Sequence, residues 1–411
     1  MPPNPFLHPR LRPLDIRRIE EQGRPFFMLR DPLGLNQQMA IVPQELGPFL
    51  ALCDGTRDCS AIASIFSFRT DVQMTPDDAA QVVETLSQAL LLEDARFTEA
   101  LGAATNEYRS RPYREPALAG KAYPADPKEL STTFDRYCAE APRAEVTKPG
   151  RVTGIISPHI DYNRGWPVYA GVWGQAAEAI AETDLAVVFG TDHSGGAGTL
   201  TLTRQHYATP WGTLPTATPI VDALAKQLGE QAVFEEELHH RNEHSIELAV
   251  TWLHYFLKGR PCEVVPILCG SFHEFVMGEV DPAAYERFEQ AMTVLREAAG
   301  KRRTLVIAAA DLAHVGPAFG DPEPWRDGER LQLRQADDAL LGAIGQGNAT
   351  QFFEHIRQVG DNNRVCGMPP IYLTLRALGA SRGVSTGYDQ CPADEDGGSL
   401  VSIAGAVLFE T

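Results

Sequence analysis

A chain of 411 residues with 44% hydrophobic and 22% charged residues has material for a sizeable core, and its length favours two domains or one large α/β domain with an extension. Thirty-six basic against 54 acidic residues leave a net charge of −18, which repels phosphate backbones and argues against nucleic acid. No apolar run approaches the ~20 residues of a membrane span, and the seven cysteines, with no CxxC pair and an odd one over, do not form a secreted disulfide framework.

The leading stretch MPPNPFLHPRLRPLD lacks the apolar run of a signal peptide, so a cytoplasmic location is expected. Residues 1–100 then form a small α+β unit. PFFMLRDP and QMAIVP have strand character; QELGPFLALCDG, CSAIASIF and PDDAAQVVETLSQALLL have helical character. Ala80, Val83, Leu86 and Leu90 recur at helical steps after Thr75 and Pro76, an N-cap followed by proline in the first turn. Strands leading into three short helices suggest a winged-helix-like domain. The order of the Asp-Gly turn, two helices and a terminal LLL run also resembles the PqqD-like peptide-recognition domains; a helical cap that merely stabilises its neighbour is the plainer alternative. Residues 101–117 lose periodicity and gain charge, Gly and Pro, as a linker does.

From 118 to 411 strand and helix alternate. RVTGIISPHI, DLAVVFGTDH, CEVVPILCGS and TLVIAAADLAH are apolar runs that end in polar clusters, helical patterns lie between them, and SLVSIAGAVLFE supplies a last strand. The alternation predicts a mainly parallel sheet covered on both faces. Ligands of such sheets gather beyond the carboxyl ends of the strands. At those ends stand His159, the pair Asp192 and His193, and Asp311 with His314; GVSTGYDQC places Cys391 at the tip of a further strand. A single histidine there is most simply a hydrogen-bonded turn residue, but three after apolar strands, with one thiol, point to a transition-metal site for iron, copper or zinc, or else to a metal-free catalytic cluster.

His244 opens the helix NEHSIELAVTWLHYFL at the positive end of its dipole, where it can donate a hydrogen bond to a polarised substrate oxygen, with Glu247 one turn on to orient it. Helix capping by Glu243 and Glu247 is the alternative. Asp311 beside His314 would orient that ring as a general acid or base. His8, His206, His239, His240, His254, His273 and His355 are read as surface or packing residues.

The ordered motifs GKAYPADPKEL, GIISPHIDYNRG, FGTDHSG, ATPWGTLPT, NEHSIELAV, PILCG, ADLAHVGPAFG, RVCGMPPI and SLVSIAGAVLFE resemble the Memo family, called AmmeMemoRadiSam system protein B in bacteria and archaea. The resemblance covers residues 118–411 and implies an α/β domain like the class III extradiol dioxygenases, whose Fe(II) is held by two histidines and a glutamate, with a cysteine replacing the glutamate here. On that basis His159, His193 and Cys391 are the expected ligands of iron or copper, and Asp311, His314 and His244 the expected catalytic groups. Asp161, Tyr162, Asp192 and Glu247 are expected to support the ligands, and Asn163 to cap the following helix. Ser194 and Gly195 depart from the family pattern and would widen access to the metal. A thiolate makes the site softer and itself oxidisable, so ring cleavage does not follow from the fold.

The resemblance further implies a radical SAM protein as partner, with a peptide or protein as possible substrate presented by the PqqD-like unit, and no role for nucleic acid or membrane. The leading expectation is a metal-dependent redox or oxygenase-like protein. The alternatives are a non-catalytic metal-carrying scaffold and a metal-free hydrolase or transferase with Cys391 as nucleophile.

Overall fold

The computed structural model describes residues 8–36, 39–142, 150–278 and 280–411, so the first seven residues of the leading stretch lie outside it. The chain divides into two compact units, residues 1–110 and 111–411.

The first unit carries an antiparallel sheet in the order β1 (Asp15–Glu21), β2 (Arg24–Arg30), β3 (Ala40–Pro43), followed by the helices α1 (Gly47–Leu52), α2 (Cys59–Thr70), α3 (Pro76–Gln88) and α4 (Ala95–Ser110). β1, whose residues are mostly charged, was not anticipated. It forms because Gln22 and Gly23, both at positive φ, close a two-residue hairpin with β2. Thr75 does cap α3: its hydroxyl accepts from the Asp78 N–H at 3.1 Å and the Asp78 carboxylate accepts from the Thr75 N–H at 2.9 Å. Ala79, Val83 and Leu86 are the buried stripe of α3, whereas Leu90 sits past its end in a left-handed turn. The expected linker is helical as far as Ser110, because the Asp94 carboxylate accepts from the Phe97 N–H at 2.9 Å and starts α4 on a run of good helix formers.

The second unit follows as α5 (Pro127–Glu140), β4 (Val152–Ser157), α6 (Tyr162–Ile180), β5 (Leu185–Thr191), β6 (Leu200–Leu202), β7 (Tyr207–Thr209), β8 (Gly212–Leu214), α7 (Thr218–Leu228), α8 (Glu230–Phe234), α9 (His239–Asn242) and α10 (Ser245–Leu257). Then come β9 (Glu263–Cys269), α11 (His273–Val276), α12 (Glu286–Ala299), β10 (Thr304–Ala309), β11 (His314–Val315), α13 (Asp327–Gly345), α14 (Ala349–Gln358), α15 (Met368–Leu378), β12 (Ser381–Pro392) and β13 (Leu400–Glu410).

Its main sheet runs β11-β13-β4-β10-β5-β9-β6, with β12 paired to β13. β4, β10, β5 and β9 are mutually parallel; β13 and β6 join antiparallel at either side. The sheet is therefore mixed rather than mainly parallel, because β12 and β13 form a hairpin and its second strand returns against β4. Two apolar layers cover the central strands: Phe272, Phe288 and Phe352 lie in one, and Phe134, Tyr169 and Trp252 in the other. Burial on both faces is why these strands read as continuous apolar runs. Their carboxyl ends at Ser157, Thr191, Cys269 and Ala309 share one edge, and the following loops carry the polar groups. Among the described residues no helix is long and apolar enough to cross a membrane.

Candidate metal centre

Pro158 ends β4 because it offers no ladder donor, and His159 follows, almost wholly buried. The adjacent strand β10 leads into Asp311, whose Oδ1 accepts from the His159 N–H at 2.7 Å and the Ile160 N–H at 3.2 Å. One carboxylate thus ties the two strand-end loops together. Nδ1 of His159 donates to the Ala309 carbonyl at 3.0 Å, since that oxygen can only accept, and this leaves Nε2 to face the Cys366 sulfur at 3.4 Å.

His193 follows β5. Its Nδ1 donates to Glu243 Oε2 at 2.9 Å, and the ring also hydrogen-bonds the Cys366 sulfur. Glu243 precedes α10 and also accepts from the backbone N–H groups of His193, His244 and Ser245, while Nδ1 of His244 lies 3.1 Å from its other oxygen. Burial alone would raise this carboxyl, but His193 and His244 hold it well below the usual range. α10 can come this close to β5 because residue 190 is glycine: a Cβ there would meet Ile246 at 2.5 Å and the Ser245 hydroxyl at 2.6 Å. The three imidazoles form a triangle, with ring centres 5.2 Å apart for His159 and His193, 5.4 Å for His159 and His244, and 5.0 Å for His193 and His244.

Cys366 arrives on the turn before α15. The Gly367 N–H donates to the Asp311 carbonyl at 3.0 Å, and a Cβ at residue 367 would lie 2.1 Å from that oxygen, so only glycine lets this turn seat its cysteine. Burial pushes the Cys366 thiol up, yet His314 and His159 outweigh it and bring it well below the ordinary thiol value. In return, burial of His159 is outweighed by Asp311 and Cys366, and its pKa rises to about 9. His314 is raised too, burial being outweighed by Cys366 and then Asp311. Imidazolium and thiolate thus favour one another in a cluster where His159 is buried, Cys366 and His314 are half-buried and His193 is exposed.

One donor atom each from His159, His193 and Cys366 lies within 4.8 Å of the others. Two imidazoles whose second nitrogen is already engaged, together with a thiolate, fit iron, copper or zinc, and an ion of that kind would replace the protons the cluster now holds. A cavity of about 280 Å³ adjoins the site; His193 and Cys366 stand on its wall, with Ser271, His273, Asp361 and Arg364 among the other lining residues.

Residues 114–407 match the family model described as Memo-like protein. The chain belongs to the Memo family. It is 26% identical over 411 residues to a MEMO1 family protein of Aquifex aeolicus, covering 98% of this chain and 100% of that one. A Methanopyrus kandleri MEMO1 family protein is 29% identical over 280 residues (66% and 89% of the two chains), and one from Archaeoglobus fulgidus 28% over 299 residues (72% and 99%).

Within this Memo fold the anticipated residues separate into two groups. His159, His193, His244, Asp311 and His314 converge. Cys391 does not stand with them: β12 is separated from β4 by β13, about 10 Å at the usual strand spacing, and its sulfur contacts the Arg164 carbonyl at 3.7 Å. Burial then pushes that thiol up to about 12. The cysteine beside the rings is Cys366. It escaped notice because it precedes a helix instead of ending a strand, although RVCGMPPI, one of the Memo motifs, carries it.

Glu247 does not orient His244. It is buried against Arg114 and accepts from the N–H groups of Ala117 and Leu118, both at 2.8 Å, and from the Tyr123 hydroxyl at 2.6 Å. Asp161, not Asn163, caps α6, and its carboxylate pairs with Arg164 at 2.6 Å rather than with an imidazole. The Tyr162 hydroxyl donates to the Leu248 carbonyl at 2.8 Å. Asp192 pairs with His239 rather than with His193: it accepts from the Ser194 N–H at 3.1 Å and lies 2.8 Å from Nδ1 of His239. Glu243 is the positioning group that sequence reasoning had assigned only a capping role.

Proposed function

We propose that this Memo protein binds a transition metal, iron or copper, through His159, His193 and Cys366, and carries out redox chemistry on a small substrate in the adjoining cavity. The observation that carries the proposal is the convergence of two imidazole nitrogens and one thiolate sulfur within 4.8 Å of one another at the strand-end edge. A bound iron or copper supplies a redox-active Lewis acid. The surrounding side chains do the rest. Asp311 fixes the loop of His159, Glu243 fixes the rings of His193 and His244, and His314, next to the Cys366 sulfur, holds a proton that can be delivered to or taken from a substrate atom. His244, stacked on His193, offers a second proton at the same place.

The test is metal content after purification without oxygen, measured for the full chain and for His159→Ala, Cys366→Ser and Cys391→Ser. The first two variants lose the metal and the third keeps it. Undiminished iron and copper in both of the first two defeats the proposal.

One observation supports a second reading. Cys366 as a thiolate beside His159 and His314, with Asp311 behind, is also the arrangement of a cysteine nucleophile with its base. A rate of Cys366 alkylation that neither added metal nor a chelator changes favours that reading; protection by metal favours the first. The partner proposal, a radical SAM protein acting on a peptide that a PqqD-like first unit presents, rests on sequence resemblance alone. Pull-down of such a partner by the full chain but not by residues 111–411 would support it.

A further inference from the structure

Beside the histidine and cysteine centre lies a second donor set. Asp192 leaves the end of β5 one residue before His193, and its Oδ2 lies 2.8 Å from Nδ1 of His239. Glu236, in the turn between α8 and α9, accepts from the Gly196 N–H at 3.1 Å and, through its other oxygen, from the Thr201 hydroxyl at 3.4 Å. One donor atom each from Asp192, Glu236 and His239 lies within 4.8 Å of the others.

Three features separate this set from an ordinary polar cluster. Its donors are mixed, two carboxylates and one imidazole, and they come from two segments, the end of β5 and the turn that leads into α9. Two of them are sheltered, with 1% of the Asp192 side chain and 11% of the His239 side chain exposed, while Glu236 is partly exposed. Finally, the charges do not balance: His239 is the basic partner of Asp192, and among the described residues neither Asp192 nor Glu236 makes an ion pair with a lysine or arginine. One buried and one partly exposed carboxylate around one ring call for a cation. Asp192 also lines the cavity whose wall carries His193 and Cys366.

We propose that Asp192, Glu236 and His239 form a second cation site, selective for a divalent ion that takes carboxylate and imidazole donors together, of the Mn(II) or Zn(II) kind. The site is independent of the iron or copper proposal and borders the same cavity, where a second charge would attract an anionic substrate group.

Mn(II) is the discriminating probe, because a thiolate-containing centre disfavours it while an oxygen-rich one accepts it. In a titration of the full-length protein followed by Mn(II) electron paramagnetic resonance, wild type binds one ion and Cys366→Ser binds it equally well. Glu236→Gln and His239→Asn weaken binding at least tenfold. Glu236→Gln alters a partly exposed side chain, and its thermal melt verifies that it folds. No Mn(II) bound by wild type at millimolar concentration overturns the inference. So does unchanged binding in both variants, and so does loss of Mn(II) in Cys366→Ser, which would assign the ion to the other centre.

Discussion

Replacing Glu247 by glutamine keeps its shape and removes its charge. Arg114, fully buried, then loses its counter-ion while still donating to the carbonyls of His240 at 2.7 Å and Glu243 at 2.9 Å. Breaking a buried pair in this one-sided way costs about 3–5 kcal/mol. The new amide nitrogen must also face a donor, since Oε1 receives Leu118 N–H and Tyr123 O–H, and Oε2 receives Ala117 N–H and Arg114. A buried donor left facing a donor adds roughly 1–3 kcal/mol. The expected loss is thus about 5 kcal/mol. All five tryptophans, Trp166, Trp173, Trp211, Trp252 and Trp325, lie in residues 111–411, so urea unfolding followed by tryptophan fluorescence reports on this unit alone. With a slope of about 3 kcal/mol per molar urea, the midpoint falls by about 1.7 M. The double variant Arg114→Met/Glu247→Met recovers part of the loss, because no charge is then stranded. A midpoint shift below about 0.3 M in Glu247→Gln would refute the reasoning, and would mean that water or a rearranged neighbour satisfies Arg114.

Glu243→Gln should lower metal affinity about 10–100-fold, because His193 and His244 use different oxygens of the carboxylate and the amide keeps only one of them as an acceptor; competition with a calibrated chelator measures this. Gly367→Ala places a methyl 2.1 Å from the Asp311 carbonyl and should destabilise the unit by about 1–3 kcal/mol while displacing Cys366, read as a lower melting temperature together with lost metal. Asp337, on α13, is buried beside the Tyr388 hydroxyl, and burial pushes its carboxyl from 3.8 to about 6. Because the folded value is the raised one, its contribution is greatest below pH 4 and is lost as pH rises through 6. The stability difference between wild type and Asp337→Asn should therefore move by about 2 kcal/mol against wild type between pH 4 and pH 7. Parallel curves for the two proteins across that range would rule this out.

The parts of the architecture that strand and helix periodicity governs were legible. β4, β5, β9, β10 and β13 are apolar runs with polar ends, set off by turn residues on the flanks of each run. Strand direction was not legible, because nothing local in SLVSIAGAVLFE distinguishes a crossover from a hairpin; the return of β13 beside β4 is set by the turn after Pro392. The same gap explains the sulfur. Position at the sheet edge favoured Cys391, but which strand neighbours which decides reach, and β13 intervenes. Cys366 is placed by a turn whose sole local mark is the glycine after it. Glu247 shows a third kind of miss: its place one turn after Glu243 suggested a shared task, whereas its partner Arg114 lies 133 positions earlier in the chain.

The grip of Glu243 on two rings at once makes His193 and His244 one inherited unit. Any exchange at either ring releases an acceptor that the other then takes up, so single substitutions will understate or misassign their roles, and their joint removal will not equal the sum. Natural variation at this place should accordingly come in pairs, with the glutamate and both imidazoles kept or given up together.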